Sequence, residues 1–159
     1  VKIEFDENEL KQVENIKKRY PASQAALMPV LYMIQEKYGW ISQEAMQFAA
    51  KLLDVTEEHV LGVVTFYTMY NTKPIGKYHL QICTNVSCML RGAYDLMKSI
   101  EQELGIKKGE TTVDKTFTVT EVECLGSCGT APMMQVNGNY YENLTIESVK
   151  AILSNLKNN

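Results

Sequence analysis

A chain of 159 residues suits one domain, or a small domain with an appendage. With 45% apolar and 22% charged residues and a formal net charge of −3, its composition is that of an ordinary globular protein, with no basic field to recommend nucleic acid or anionic lipid as a partner. No apolar run approaches the roughly 20 residues of a membrane span, and the acidic opening Val1-Lys-Ile-Glu-Phe-Asp-Glu-Asn-Glu has no signal core or transit pattern, so a cytoplasmic chain without direct membrane insertion is expected.

The amino-terminal half reads as helical. Residues 8–18 are polar, with Leu10, Val13 and Ile16 at helical spacing, and Tyr20-Pro21 marks an end. Ser23 is placed to cap a second helix with a stripe of Leu27, Val30, Leu31 and Ile34; Pro29 inside it predicts a kink, and Gly39 closes it. Ser42 caps a third helix, with Ile41 and Met46 as a hydrophobic staple and Ala45, Phe48, Ala49 and Leu52 as its buried face. Thr56 caps a fourth, continued by Val60, Val63, Val64 and Tyr67. Helices this short need one another, so a small bundle over residues 1–72 is expected, ending in the turn-forming run Tyr70-Asn-Thr-Lys-Pro-Ile-Gly76. No catalytic constellation stands out in this half. His59 shares a solvated first turn with Glu57 and Glu58, and the methionines read as core filler.

From residue 77 the period changes. Tyr78, Leu80 and Ile82 alternate as in a half-buried strand; residues 89–104 are helical, with Leu90, Ala93, Tyr94, Met97, Ile100 and Leu104 as a stripe; residues 117–122 alternate again. Residues 133–136 and 139–142 flank Asn137-Gly138 as a hairpin with a type I′ turn, and Thr145 caps a last helix with Ile146, Val149, Ile152, Leu153 and Leu156 inward. Residues 77–159 are therefore expected to form an α/β sandwich of thioredoxin type in β-α-β-β-α order, giving an α+β chain overall.

All four cysteines lie in two loops at the carboxyl ends of the predicted strands: Cys83-Thr-Asn-Val-Ser-Cys88 and Cys124-Leu-Gly-Ser-Cys128, with 35 residues between them. Open α/β sheets place ligands at such ends. Four thiolates suit a [2Fe–2S] cluster, which takes two per iron, or structural zinc; two disulfides are the third reading, and the spacing leaves all three open. Gly126 and Gly129 can bring backbone N–H groups close to a sulfur. Neither loop is a C-x-x-C motif, which argues against thiol–disulfide catalysis. His79 is an alternate candidate near the site, with a solvated strand position as the plainer account.

The run from Asp114 through Glu-Val-Glu-Cys124-Leu-Gly-Ser-Cys128-Gly-Thr-Ala131-Pro132, with Gly62-Val-Val-Thr-Phe-Tyr-Thr-Met-Tyr70 and Gly109-Glu-Thr-Thr112 upstream, resembles the 24-kDa or E subunit family of NADH:quinone oxidoreductase (respiratory complex I), over nearly the whole chain. Met89 departs from the larger aromatic that relatives often carry. The resemblance implies a thioredoxin-like domain holding one [2Fe–2S] cluster on Cys83, Cys88, Cys124 and Cys128, and no catalytic residues of its own. It implies that FMN and NADH are bound by a partner flavoprotein subunit and not by this chain, in the peripheral arm of a membrane-associated oxidoreductase. The absence of G-x-G-x-x-G and G-x-x-x-x-G-K motifs agrees with that division, since a [2Fe–2S] cluster changes charge by one electron and NADH delivers two. Alternatives are the same role in the diaphorase module of a soluble hydrogenase or formate dehydrogenase, a stand-alone thioredoxin-like ferredoxin, and a structural zinc module.

Overall fold

A computed structural model describes residues 2–158. The chain divides into two compact units, Val1–Pro74 and Ile75–Asn159.

The first unit is built of helices α1 (Glu7–Lys17), α2 (Leu27–Tyr38), α3 (Gln43–Leu53) and α4 (Glu57–Phe66). Asp6 and Glu9 form a reciprocal capping box on α1; Ser42 and Thr56 accept from Ala45 N–H and His59 N–H to cap α3 and α4. Ser23, by contrast, caps nothing. It lies in a 3-10 turn, Ser23–Ala26, and its hydroxyl donates to Leu53 carbonyl at 2.8 Å. That turn also removes the expected kink, because α2 starts at Leu27 and places Pro29 in its first turn, where a missing N–H breaks no bond. Gly39, at φ 80°, ends α2 in the left-handed conformation. The core gathers Val13, Leu27, Val30, Leu31, Ile34, Ile41, Ala45, Ala49 and Leu53 with Val60 and Val64. Phe48 is half-buried, packed edge-on against Phe5 with ring centroids 5.2 Å apart, so the inner face of α3 turns toward Ala50 and Leu53 instead of Phe48 and Leu52.

The second unit is a four-stranded sheet in the order β2-β1-β3-β4, made of β1 (Tyr78–Cys83), β2 (Phe117–Val122), β3 (Met134–Val136) and β4 (Asn139–Tyr141). β1 and β2 are parallel; β3 runs antiparallel to β1 and β4 to β3. Asn137 and Gly138, at φ 47° and 89°, make the tight turn between the last two strands. Leu80 and Ile82 share a core with Leu96, Met97 and Ile100 of helix α6 (Ala93–Leu104) and Val149 and Leu153 of helix α7 (Ile146–Lys157). This is a thioredoxin-like α+β arrangement, with the hairpin contributing two strands between β2 and α7.

The helix expected over residues 89–104 is two helices. A short α5 (Val86–Leu90) stops at Arg91, and Gly92, at φ 91°, restarts the chain as α6. The break puts Leu90 outside the period of α6, where it is exposed, and Tyr94, within α6, lies off its buried face and is exposed too. Ala93, Leu96, Met97 and Ile100 form the buried face at i, i+3, i+4 and i+7. In α7, Ile146 is likewise exposed while Val149 and Leu153 are buried.

Candidate metal centre

The parallel pairing of β1 and β2 brings the two cysteine loops together. Cys83 is the last residue of β1 and stands in register with Val122, the last of β2. Thr84 N–H extends the ladder to Val122 carbonyl at 3.1 Å. The Cys83 thiol faces the next stretch of β2's chain, 3.9 Å from the Glu123 carbonyl. Parallel strands finish at the same end of a sheet, so Cys83 and Cys124, and the loops they open, set out from neighbouring points although far apart in sequence.

The first loop is held by burial. Asn85 caps α5 through Val86 N–H at 2.6 Å, and Cys88 is the third residue of that helix rather than its start. Cys83 and Cys88 are buried among Ala93, Ala131 and Met133. Burial pushes the Cys88 thiol up to about 11, and Cys83 beside it adds to the shift; Cys128 contributes in the same direction. At Thr84, the hydroxyl donates to Glu121 at 2.9 Å, and Glu121 also pairs with Lys108; Lys108 first and Thr84 second hold its carboxyl below the usual range.

The second loop is held differently, because both of its cysteines are exposed. Gly126, at φ 74°, turns its N–H onto Cys124 Sγ at 3.3 Å, the type of bond that stabilises a thiolate and tunes a bound cluster. Cys128 opens a 3-10 turn, Cys128–Thr130, ahead of the cis Ala131-Pro132 bond. From the far edge of the sheet, Tyr140 hydroxyl donates to Leu125 carbonyl at 2.7 Å, and the hydroxyls of Ser127 and Thr130 both donate to Glu142. They hold the Glu142 carboxyl below its ordinary range, Ser127 first. Periodicity gives no sign of Tyr140 and Glu142, which follow the turn by two and four residues and reach the loop only because β4 folds back. A shallow cleft of about 260 Å³ joins the loops, lined by Ser87, Leu90, Arg91, Cys128, Gly129 and Ala131.

All four thiols are free, so no disulfide staples this unit. Among the described residues, no group of three or more His, Cys, Asp and Glu is close enough together to hold a metal ion. The thiols stand as a buried pair and an exposed pair, from adjacent strand ends. That donor set fits a group that takes four thiolates, two to each iron. His79 lies at the opposite end of β1, its ring nitrogen 2.9 Å from Thr120 Oγ1 and its pKa lowered by burial, so it takes no part in the site.

Residues 13–157 match the family model of the thioredoxin-like [2Fe-2S] ferredoxins. The E subunit of the NADH-quinone oxidoreductase of Rickettsia bellii (strain RML369-C) is 43% identical over 157 residues, covering 97% of this chain and 94% of the relative. The E 2 subunit of the NADH-quinone oxidoreductase of Rhizobium meliloti (strain 1021) is 42% identical over 146 residues, covering 92% and 87%. Among solved structures, a NAD+-reducing [NiFe]-hydrogenase in the air-oxidized state shares the fold with TM-score 0.68 at 18% identity, over 85% of this chain and 22% of that one. The chain belongs to the thioredoxin-like [2Fe-2S] ferredoxin family, alongside relatives named as the E subunit of NADH-quinone oxidoreductase.

Proposed function

We propose that this chain is the electron-transfer subunit of an NADH:quinone oxidoreductase, with one [2Fe–2S] cluster on Cys83, Cys88, Cys124 and Cys128. The observation that carries the reading is the pairing of Cys83 with Val122, which sends two loops with four free thiols from one sheet edge. When bound, such a cluster supplies one-electron transfer between a donor and an acceptor. The chain's own part is to hold four thiolates, to bury Cys83 and Cys88, and to direct the Gly126 N–H at Cys124. Cys128 lies on the open side, in the cleft with Arg91, where a partner can approach.

The electron donor in this reading is the FMN of a flavoprotein subunit that binds NADH, in the peripheral arm of a membrane-associated complex. Among the described residues no helix is long and apolar enough to cross a membrane. Residues 1–72 serve to dock that flavoprotein. In support, Leu61 and Phe66 of α4 and nearby Met69 are apolar yet exposed. The names of the relatives at 41–43% identity favour the quinone oxidoreductase over the hydrogenase assembly, for which the likeness is one of fold.

The test is iron and acid-labile sulfide analysis of the purified chain, followed by co-purification with the flavoprotein. About two irons and two sulfides per chain are expected. A colourless protein with one zinc would overturn the cluster assignment. A truncated chain from residue 75 that bound the flavoprotein as tightly as the whole would overturn the docking role.

A further inference from the structure

The two halves of the proposed cluster site are anchored by different means, and this difference assigns a role to a residue outside both cysteine loops. Cys83 and Cys88 are fixed by a strand end, a capped helix and burial among Ala93, Ala131 and Met133. Residues 124–127 have no regular structure, and both Cys124 and Cys128 are exposed. Packing cannot set the position of exposed thiols; hydrogen bonds must.

Within the loop, Gly126 N–H reaches Cys124 Sγ and Thr130 N–H reaches Ser127 carbonyl at 3.1 Å. The bonds that tie the loop to the rest of the unit come from the end of β4. Tyr140 donates to Leu125 carbonyl, Asn143 N–H donates to Thr130 carbonyl at 2.8 Å, and Glu142 Oε1 accepts from both Ser127 Oγ and Thr130 Oγ1. The two hydroxyl oxygens also stand 2.6 Å apart. Ser127 is the residue immediately before Cys128 and Thr130 lies two beyond it. One carboxylate oxygen therefore grips the chain on both sides of a proposed ligand. Hydrogen bonds to an ionised acceptor are stronger than neutral ones, and two on one oxygen fix both position and direction.

On the reading of Cys124 and Cys128 as cluster ligands, we propose that Glu142 is a positioning residue for the exposed half of the site. It holds the 124–130 loop in ligating geometry through the hydroxyls of Ser127 and Thr130, without touching the metal. Its work requires an acceptor oxygen at that point. An amide carbonyl can serve there; a methyl group cannot.

The experiment compares full-length wild type, Glu142→Ala and Glu142→Gln, each as purified. Amide hydrogen exchange is read at residues 125–130, with residues 84–90 as the internal control. Glu142→Ala should exchange about tenfold faster in the second loop, from the loss of one to two charge-assisted bonds, and unchanged in the first. It should also lose iron to a chelator faster and broaden the electron paramagnetic resonance spectrum of the reduced chain. Glu142→Gln should restore the rate and the spectrum. Wild-type exchange in Glu142→Ala, or a Glu142→Gln variant as impaired as Glu142→Ala, would overturn the proposal. If Glu142→Ala does not fold, Thr130→Val, which keeps the shape and removes one hydroxyl, carries the same comparison. A wild-type chain without iron and sulfide would overturn the cluster reading instead, while the exchange data would still decide whether Glu142 holds the loop.

Discussion

Cys83 and Val122 are the final register pair of the parallel ladder between β1 and β2. The pairing does more than align two strands. It makes two cysteine loops neighbours, one starting at the paired cysteine and the other two residues past the paired valine. The parallel sense matters here, since an antiparallel partner would have carried Cys124 to the opposite edge.

The asymmetry between the loops predicts an order of chemical reactivity. In chain stripped of metal, Cys124 and Cys128 should react with a thiol-alkylating reagent before Cys83 and Cys88, which are 4% and 2% exposed. Mass spectrometry of a quenched time course would reveal the order, and simultaneous labelling of all four would contradict the buried pair. Replacement of any one of the four by Ala should cost the cluster, as lost visible absorbance, because one of the two irons is left a thiolate short.

How far the sequence alone is legible differs by element. Gly39, Ser42, Thr56, Asn137-Gly138 and Thr145 each act locally, through a backbone conformation or a cap, and each stands in the structure where the sequence puts it. Ser23 and Pro29 take other roles than their spacing suggests because a 3-10 turn shifts the start of α2, a shift with no distinct composition. Leu90 and Tyr94 fit the helical period of residues 89–104, but Gly92 interrupts that period, and one left-handed residue redirects everything before it. The cysteines are legible from their chemistry. Glu142 is not, because its link to Ser127 spans a hairpin and has no spacing rule behind it.

Gly76 should resist substitution although it sits before the first strand. A Cβ built there would lie 2.9 Å from the backbone of Thr116 and Phe117, which cannot move aside without breaking the ladder. Its N–H also donates to the buried Thr118 hydroxyl at 2.6 Å. Gly76→Ala is expected to destabilise the second unit by about 1–3 kcal/mol, the usual cost of overpacking. Denaturant unfolding followed by a probe in residues 75–159 would measure it; an unchanged midpoint would mean that the strand entry is slack.

His79 sets a pH dependence. Burial lowers its pKa from the ordinary 6.5, so the folded chain keeps the ring neutral where the unfolded chain takes up a proton. The stabilising difference is fully present above about pH 6.5 and is lost as pH falls toward the lowered folded value. Thermal unfolding between pH 8 and 5.5 should show wild type losing more stability than His79→Gln across that window. Parallel losses would show that the ring is open to solvent and titrates normally.

The two units have separate cores. The cluster-side cores, from Leu80 through Leu153 and around Cys83 and Cys88, are made wholly of residues after 75; the helical core runs from Phe5 to Tyr70. All four proposed ligands and the residues that anchor them, from Thr84 to Glu142, also lie in the second unit. A fragment of residues 75–159 should therefore fold and hold iron and sulfide in the same ratio as the full chain. Its starting point is critical. Beginning at 77 would remove Gly76 and with it the bond to Thr118, so that fragment should melt lower than one beginning at 75. Iron analysis and thermal unfolding of the two fragments check both statements. Loss of iron from the longer fragment would show that the helical unit is needed to build the site, not only to dock a partner.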